Sequence, residues 1–373
     1  MNLSPEEKQE LKEHLKAVAQ LLYRHTPPGN KQRFEDIETT LRDYIQEEVS
    51  PEIAKCLDAV AHGGNPQDRA ASLFFSEVSQ VKIGRPRRIK TIVGEVEITD
   101  KQADYFELKP HSQLSPKLEK NALLICANES YKKAEEDLWA MTGIKISHST
   151  LHRLVKKQDL DLPESRLGIQ EVSLDAGKIR LRTEEKGKAC EWKDYKAVCL
   201  NGTYIGAFFQ ENQVLIDWIN SQKLLNPFFC TGDGHQGIWN IFEELGEPAQ
   251  RREILDWYHL KENLYKVGGS LKRLEKGEKL LWSGKVAETL DLFRGLKKKV
   301  AQNFCNYIET HKKRIINYDY YQKERISSLG SGAIESGIKQ IGMRVKLSGS
   351  QWNIENVPKI LSLRCAYLNG MLY

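Results

Sequence analysis

The chain has 373 residues, 40% of them hydrophobic and 29% charged. These proportions exclude a disordered or membrane-embedded chain and allow two or three domains with real cores. The net charge of +5 is too small to indicate a nucleic-acid partner by itself, but basic residues cluster at GRPRRIK (84–90), HRLVKK (152–157) and GLKKKV (295–300). No apolar run approaches the ~18 residues a membrane helix needs. The opening MNLSPEEKQELKEHLK lacks the layout of a signal peptide, so the expected location is cytoplasmic, with no membrane partner. The cysteines at 56, 126, 190, 199, 230, 305 and 365 form no C-x-x-C pair, which argues against a zinc ribbon and a disulfide framework.

Residues 4–22 begin with Ser-Pro-Glu-Glu, a helix start, and continue with apolar residues at Leu11, Leu15, Val18 and Leu22. FEDIETTLRDYIQEEV (34–49) predicts a second amphipathic helix, AHGGNPQD (61–68) a loop, GRPRR a linker or turn, and TIVGEVEI (91–98) a strand. An N-terminal, mostly helical region is thus expected over 1–112. Residues 113–157 predict three helices, across Leu118–Cys126, across Tyr131–Met141, and, after a turn at Gly143, from Ser147 or Ser149 onward. Ala134, Leu138, Ile144, Ile146, Leu151 and Val155 are spaced for one small core. That spacing fits a helix-turn-helix DNA-binding domain over 113–165, with His148, His152, Arg153, Lys156 and Lys157 facing bases or phosphates. It fits equally a plain three-helix bundle with solvated basic residues.

From Ile169 the period changes to two. VSLD, KIRLRT, DYKAVCL and TYIGAFF are strand candidates, and Asn201-Gly202 marks a hairpin. VLIDWINS then predicts a helix, PFFCTGD a buried strand, GIWNIFEELG a helix, and REILDW a strand leading into YHLKENLYKVG. Three antiparallel strands followed by crossover units give an α/β class, a ribonuclease-H-like mixed sheet core over 166–373. An all-helical insertion interrupts it at about 260–328.

Three acidic residues carry the chemistry this core could do: Asp175 in EVSLDAGKIRLR, Asp233 in PFFCTGDGHQGIW and Glu335 in SGAIESGIKQ. Two Mg²⁺ ions about 4 Å apart can activate a nucleophile and stabilise the leaving oxygen of a phosphodiester. Carboxylates are the ligands such a hard ion prefers, and Mn²⁺ can substitute. Each residue also has a structural explanation. Asp175-Ala176-Gly177-Lys178 reads as a tight turn, Gly232 and Gly234 can let a ligand approach Asp233, and Glu335 suits a helix start and pairs with Lys339. Asp256-Trp257-Tyr258-His259 places His259 where it can hydrogen-bond a phosphate or a carboxylate, or is an Asp helix cap. Lys339, Arg344 and Lys346 are candidates for holding phosphates. Trp352 can stack on an unpaired base, although a core tryptophan is commoner.

CANESYKKAEEDLWAMTGIKISHSTLHRLV, VSLDAGKIRLR, CEWKDYKAV, TGDGHQGIWNI, REILDWYHLKENLYKVGGSLKRL, GSGAIESGIKQI and QWNIENVPKILSLRCAYLNG, in that order, resemble bacterial insertion-sequence DDE transposases of the ISKra type, akin to the Mutator-like group. The resemblance runs from about residue 110 to the C-terminus. It implies a DDE triad of Asp175, Asp233 and Glu335, an Asp-x-x-His signature at Asp256 and His259, and metal-dependent cleavage and strand transfer at the element's terminal inverted repeats. The partners implied are double-stranded DNA at those repeats and at the target, with a homodimer or larger assembly on DNA and nucleoid association in a bacterium. The alternative function is a sequence-specific DNA-binding protein without catalysis, a transposase remnant or repressor.

Overall fold

The computed structural model describes residues 4–24, 43–49, 87–100, 103, 108–183 and 188–372. The chain divides into two compact units, one of residues 1–115 with 142–144 and one of residues 116–141 with 145–373.

In the first unit, helix α1 (Pro5–Arg24) opens on a capping box. The Glu7 N–H donates to Ser4 Oγ and the Ser4 N–H donates to Glu7 Oε2, so two otherwise orphaned donors are satisfied. A π-helical turn covers Ile45–Val49, while the earlier part of the predicted 34–49 helix and the 61–68 loop lie outside the described residues. The expected strand at 91–98 is instead a hairpin of β1 (Arg87–Thr91) and β2 (Gly94–Ile98). Its sequence lacks a two-residue turn signal of the usual kind; here Thr91 Oγ1 donates to the Gly94 carbonyl and Gly94 takes a φ of 136°. Arg87 and Arg88, expected in a linker, belong to β1.

The second unit begins with α2 (Pro116–Cys126), α3 (Tyr131–Thr142) and α4 (His148–Lys156). Ser147 caps α4, its side chain accepting from the Thr150 N–H, and Leu151 and Val155 are buried on one face of that helix. A five-stranded mixed sheet follows, in the order β5-β4-β3-β6-β7. Its strands are β3 (Ile169–Leu181), β4 (Glu191–Leu200), β5 (Tyr204–Phe208), β6 (Leu224–Gly232) and β7 (Arg251–Leu255). The first three run antiparallel, and β6 and β7 run parallel to β3. This mixed α/β arrangement is compatible with a ribonuclease-H-like core.

Asn201 and Gly202 take φ of 50° and 67° in the β4–β5 turn, the conformation that favours Asn-Gly. Asn201 Oδ1 also accepts from the Gln170 and Glu171 N–H groups, which fastens the turn to the start of β3. VSLD and KIRLRT, expected as separate strands around a turn, form the single thirteen-residue β3. Gly177 makes this possible: a Cβ there would lie 2.1 Å from Cζ of Tyr195, its partner on β4.

Helices α5 (Asn212–Asn220) and α6 (Gln236–Glu243) connect the strands, and α7 (Trp257–Lys266) leaves the end of β7. Then come α8 (Leu271–Trp282), α9 (Val286–Phe293), α10 (Lys299–Thr310) and α11 (Tyr318–Lys323). Their buried residues join those of the sheet in one hydrophobic cluster. Trp257, Trp282 and Tyr318 pack against one another there, with ring centroids 4.7 to 5.9 Å apart, an arrangement worth more than area alone.

Helix α12 (Gly332–Val345) crosses β3 and β4, and α13 (Val357–Leu368) packs on β5 and α4. Arg364 of α13 donates to the carbonyls of Ala127 and Gln340 and to Asn128 Oδ1, so α2 is tied to α12 and α13 by charge-assisted hydrogen bonds. Among the described residues no helix is long and apolar enough to cross a membrane.

Candidate active site

The strand registers place three aspartates in one row. Ser173 of β3 lies beside Thr231 of β6, so Asp175 and Asp233, each two residues further on, fall at matching positions where β6 ends. Gly232 of β6 lies beside Leu255 of β7, which puts Asp256 next to Asp233. The Asp256 N–H donates to the Gly232 carbonyl at 2.9 Å and carries that alignment past the strand ends. Glu335 arrives from the first turn of α12, where its Oε1 accepts from Ser331 Oγ at 3.1 Å. Among the described residues no ion pair joins it to Lys339, which is exposed.

Asp175 is half-buried. Burial holds its carboxyl above the ordinary range, and the charges of Asp233 and Glu335 push the same way, against the Ala176 N–H and the charge of His259. Asp233 lies in a loop closed by its own Oδ1, which accepts from the His235 N–H at 2.8 Å. The Tyr307 hydroxyl donates to its carbonyl at 3.2 Å. Gly234 has a φ of 97°, and a Cβ there would lie 2.8 Å from the Tyr307 ring. Gly232 likewise faces Ile238 of α6. The glycines around Asp233 therefore leave room for packing side chains.

Asp256 is fully buried and caps two helices at once. Oδ1 accepts from the His259 N–H at 2.8 Å at the start of α7, and Oδ2 accepts from the Ser331 N–H at the start of α12. Burial pushes its pKa up, but the bonds from His259 and Ser331 outweigh it and leave the carboxyl below the usual range. His259 Nδ1 lies 3.3 Å from the same Oδ1, near enough for an ion pair but poorly aligned for a hydrogen bond. The Asp256 carboxylate pushes the imidazole up to about 9 against the opposing effect of burial, with help from the charges of Asp233 and Glu335. The raised value favours the protonated ring at neutral pH.

Three donor atoms approach within 4.8 Å of one another, and they belong to Asp256, His259 and Glu335, whereas the expected set is Asp175, Asp233 and Glu335. The chemistry of the two sets differs. Both oxygens of Asp256 accept helix N–H groups, and His259 would have to release its proton to ligate a cation. Asp175, Asp233 and Glu335 form an excess of negative charge that acts on one another and on His259. Ser331 is missing from the residues expected at the site, although a serine four residues before Glu335 at a helix start is a readable capping signal. Tyr307 comes from the helical insertion, and nothing local in the sequence indicates its approach to Asp233.

The expected DNA-contacting residues divide. Arg153, Lys157, Lys339 and Lys346 are exposed. Lys156 pairs with Glu355 at 3.1 Å and His148 with Glu135 at 2.8 Å, exposed pairs that hold these side chains weakly. His152 meets the edge of the Tyr131 ring. Arg344 is a correction: it is 1% exposed, its Nε donates to the Cys126 carbonyl at 2.7 Å, and its guanidinium lies between the rings of Tyr131 and Trp352. A group so enclosed is not the surface cation that its place between Lys339 and Lys346 suggests. Trp352 is buried too, with Nε1 donating to the Val345 carbonyl and its backbone pairing beside Leu181, which is the core role.

No protein-family model matches the sequence, and no curated protein matches it. Among solved structures, the Drosophila P element transposase strand transfer complex aligns with 68% of this chain and 79% of its own, at 12% identity and a TM-score of 0.29. An overlap of that size leaves fold and function to be argued from the chain itself.

Proposed function

We propose that this protein is a metal-dependent DNA-cleaving and strand-joining enzyme, a DDE transposase acting on the terminal inverted repeats of an insertion sequence. One observation carries the reading: a β3–β6 register that sets Asp175 beside Asp233, with Glu335 and protonated His259 acting electrostatically on the same point. Sequence motifs in the order typical of such enzymes support it.

Asp175, Asp233 and Glu335 would hold the divalent ions, Mg²⁺ or Mn²⁺. Bound there, the ions supply Lewis acidity and an activated nucleophile for in-line phosphodiester displacement. The chain's own groups do the rest. His259 presents an imidazolium that can donate a hydrogen bond to a phosphate oxygen and offset its charge. Asp256 fixes that ring and, through Ser331, the helix that bears Glu335. The three helices of 116–156 are the candidate reader of the repeat, with Arg153 and Lys157 available to meet phosphates.

The test is cleavage of a labelled duplex carrying the flanking inverted repeat, with Mg²⁺ or Mn²⁺, by the wild type and by Asp233→Asn. Cutting at the repeat end that the variant lacks is the expected result. Binding of the repeat without cutting by either protein would favour a DNA-binding remnant and remove the catalytic assignment.

A further inference from the structure

Helix α12 reaches a second unusual place at its other end. A cavity of about 430 Å³ opens there, lined by Arg344 together with Arg182, His152, Ser348, Ser350 and Asn356, and walled by Tyr131 and Trp352. Arg344 is 1% exposed, yet its Nη2 has no hydrogen-bond partner among the described residues. No carboxylate is among the groups that act on it electrostatically, and burial lowers its pKa. A buried guanidinium is strongly disfavoured unless a counter-charge and hydrogen-bond acceptors meet it, and two aromatic faces and one carbonyl supply only part of that.

The rest of the lining has the matching chemistry. Arg182 is exposed at the rim, where a second fork of N–H donors can close on a planar or tetrahedral oxyanion. His152, held edge-on by Tyr131, and the hydroxyl of Ser348 are further donors, while Ser350 Oγ already donates to the Val345 carbonyl. Buried Asn356 contributes an amide whose Oδ1 is unpartnered among the described residues, and a flip of that amide would turn its donor inward. Among the described residues no Asp or Glu lines the cavity.

We propose that this cavity is a phosphate site, taking one phosphate group between Arg344 and Arg182. The group can come from the backbone or end of a DNA strand or from a free phosphate anion.

The full chain is heated in inorganic phosphate and in chloride of matched ionic strength. The expected result is a midpoint about 3 °C or more higher in phosphate, and loss of that rise in Arg182→Ser and in His152→Gln, both of which leave the buried contacts of Arg344 in place. No phosphate-specific rise in the wild type, or an equal rise in both variants, overturns the proposal. Arg344→Lys, which keeps the charge but loses the fork, should lose most of the rise if it folds; the two rim variants decide the matter if it does not.

The source is separated by binding a short 5′-phosphorylated duplex at fixed salt. A several-fold weaker affinity in Arg182→Ser, with wild-type binding reduced by inorganic phosphate, assigns the site to DNA. Unchanged duplex affinity with the thermal response lost assigns it to a free anion. Failure here is distinguishable from failure of the catalytic reading: cleavage at the repeat with no phosphate response removes only this site, and a phosphate response without cleavage removes only the other.

Discussion

Helix α12 begins among carboxylates that crowd around a half-buried imidazolium, and it ends at a guanidinium enclosed by two rings, with no carboxylate among the charges that act on it. Both ends carry charge that the fold leaves incompletely balanced, negative at Glu335 and positive at Arg344. An ordinary scaffold neutralises such groups within itself, as Glu253 does here with Arg251 and Arg314. Unbalanced charge of opposite sign at the two ends of one helix is what a site for cations and a site for an anion would each require.

The contrast can be broken most strongly at the negative end. Asp233→Asn and Glu335→Gln are nearly isosteric and should fold, yet lose cleavage about a thousandfold or more, since the ions they would hold supply several kcal/mol of transition-state stabilisation. Single-turnover cleavage of the repeat duplex measures this; residual activity within tenfold of wild type would remove either residue from the metal set.

Asp256→Ala should act differently. It removes one buried acceptor that caps both α7 and α12, so stability falls by about 2–4 kcal/mol, measured by urea unfolding. Asp256→Asn keeps one carbonyl oxygen and should fall between. An alanine variant as stable as wild type would show that the two caps are unimportant.

His259 sets a pH window. Its pKa is raised to about 9 in the fold from an ordinary value of about 6.5, so its protonation stabilises the folded state. That contribution is complete below pH about 6.5 and is lost as pH rises through about 9. The stability difference between wild type and His259→Gln should therefore be largest at pH 6 and shrink towards pH 9.5. A difference that grows with pH would contradict the Asp256–His259 pairing.

Asp175 has the opposite sign, because its raised pKa means that the ionised form opposes folding. Asp175→Asn should slightly stabilise the metal-free protein at pH 7, by less than about 1 kcal/mol, while abolishing cleavage, a trade common at functional sites. Mg²⁺ should raise the thermal midpoint of the wild type and not of this variant.

These differences follow how legible each region is in the sequence. The second half of the sheet is readable because apolar runs such as PFFCTGD and REILDW are bounded by clear breaks, which also put Asp233 and Asp256 at strand ends. Asp175 is ambiguous because Asp-Ala-Gly-Lys has turn composition; the strand runs on because Gly177 accommodates Tyr195 from β4, a long-range approach no local pattern reveals. Arg344 looks like a surface cation between Lys339 and Lys346, yet Ile334, Gly337, Ile341 and Arg344 follow the spacing of one buried face. That spacing could have placed it inside. Nothing local could have announced the double cap by Asp256, since Ser331 lies 75 residues further along the chain.

The smallest expected effect concerns α4. Arg153 is exposed and, among the described residues, bonded only to its own helix, at the Ser149 carbonyl and Thr150 Oγ1, and Lys157 is exposed just beyond the last turn. Lys156 is already paired with Glu355. If α4 lies against DNA, removing one cation that neutralises a phosphate should reduce the slope of log affinity against log salt by about 0.9. Arg153→Ser and Lys157→Ser should each show that reduction, and Lys156→Ser a smaller one, because part of its charge is offset by Glu355 before DNA arrives. Equal slopes in all four proteins would mean that α4 faces away from DNA. The three-helix segment would then be a bundle that braces α12 and α13, a role its hydrogen bonds to Arg344 and Arg364 already equip it to serve.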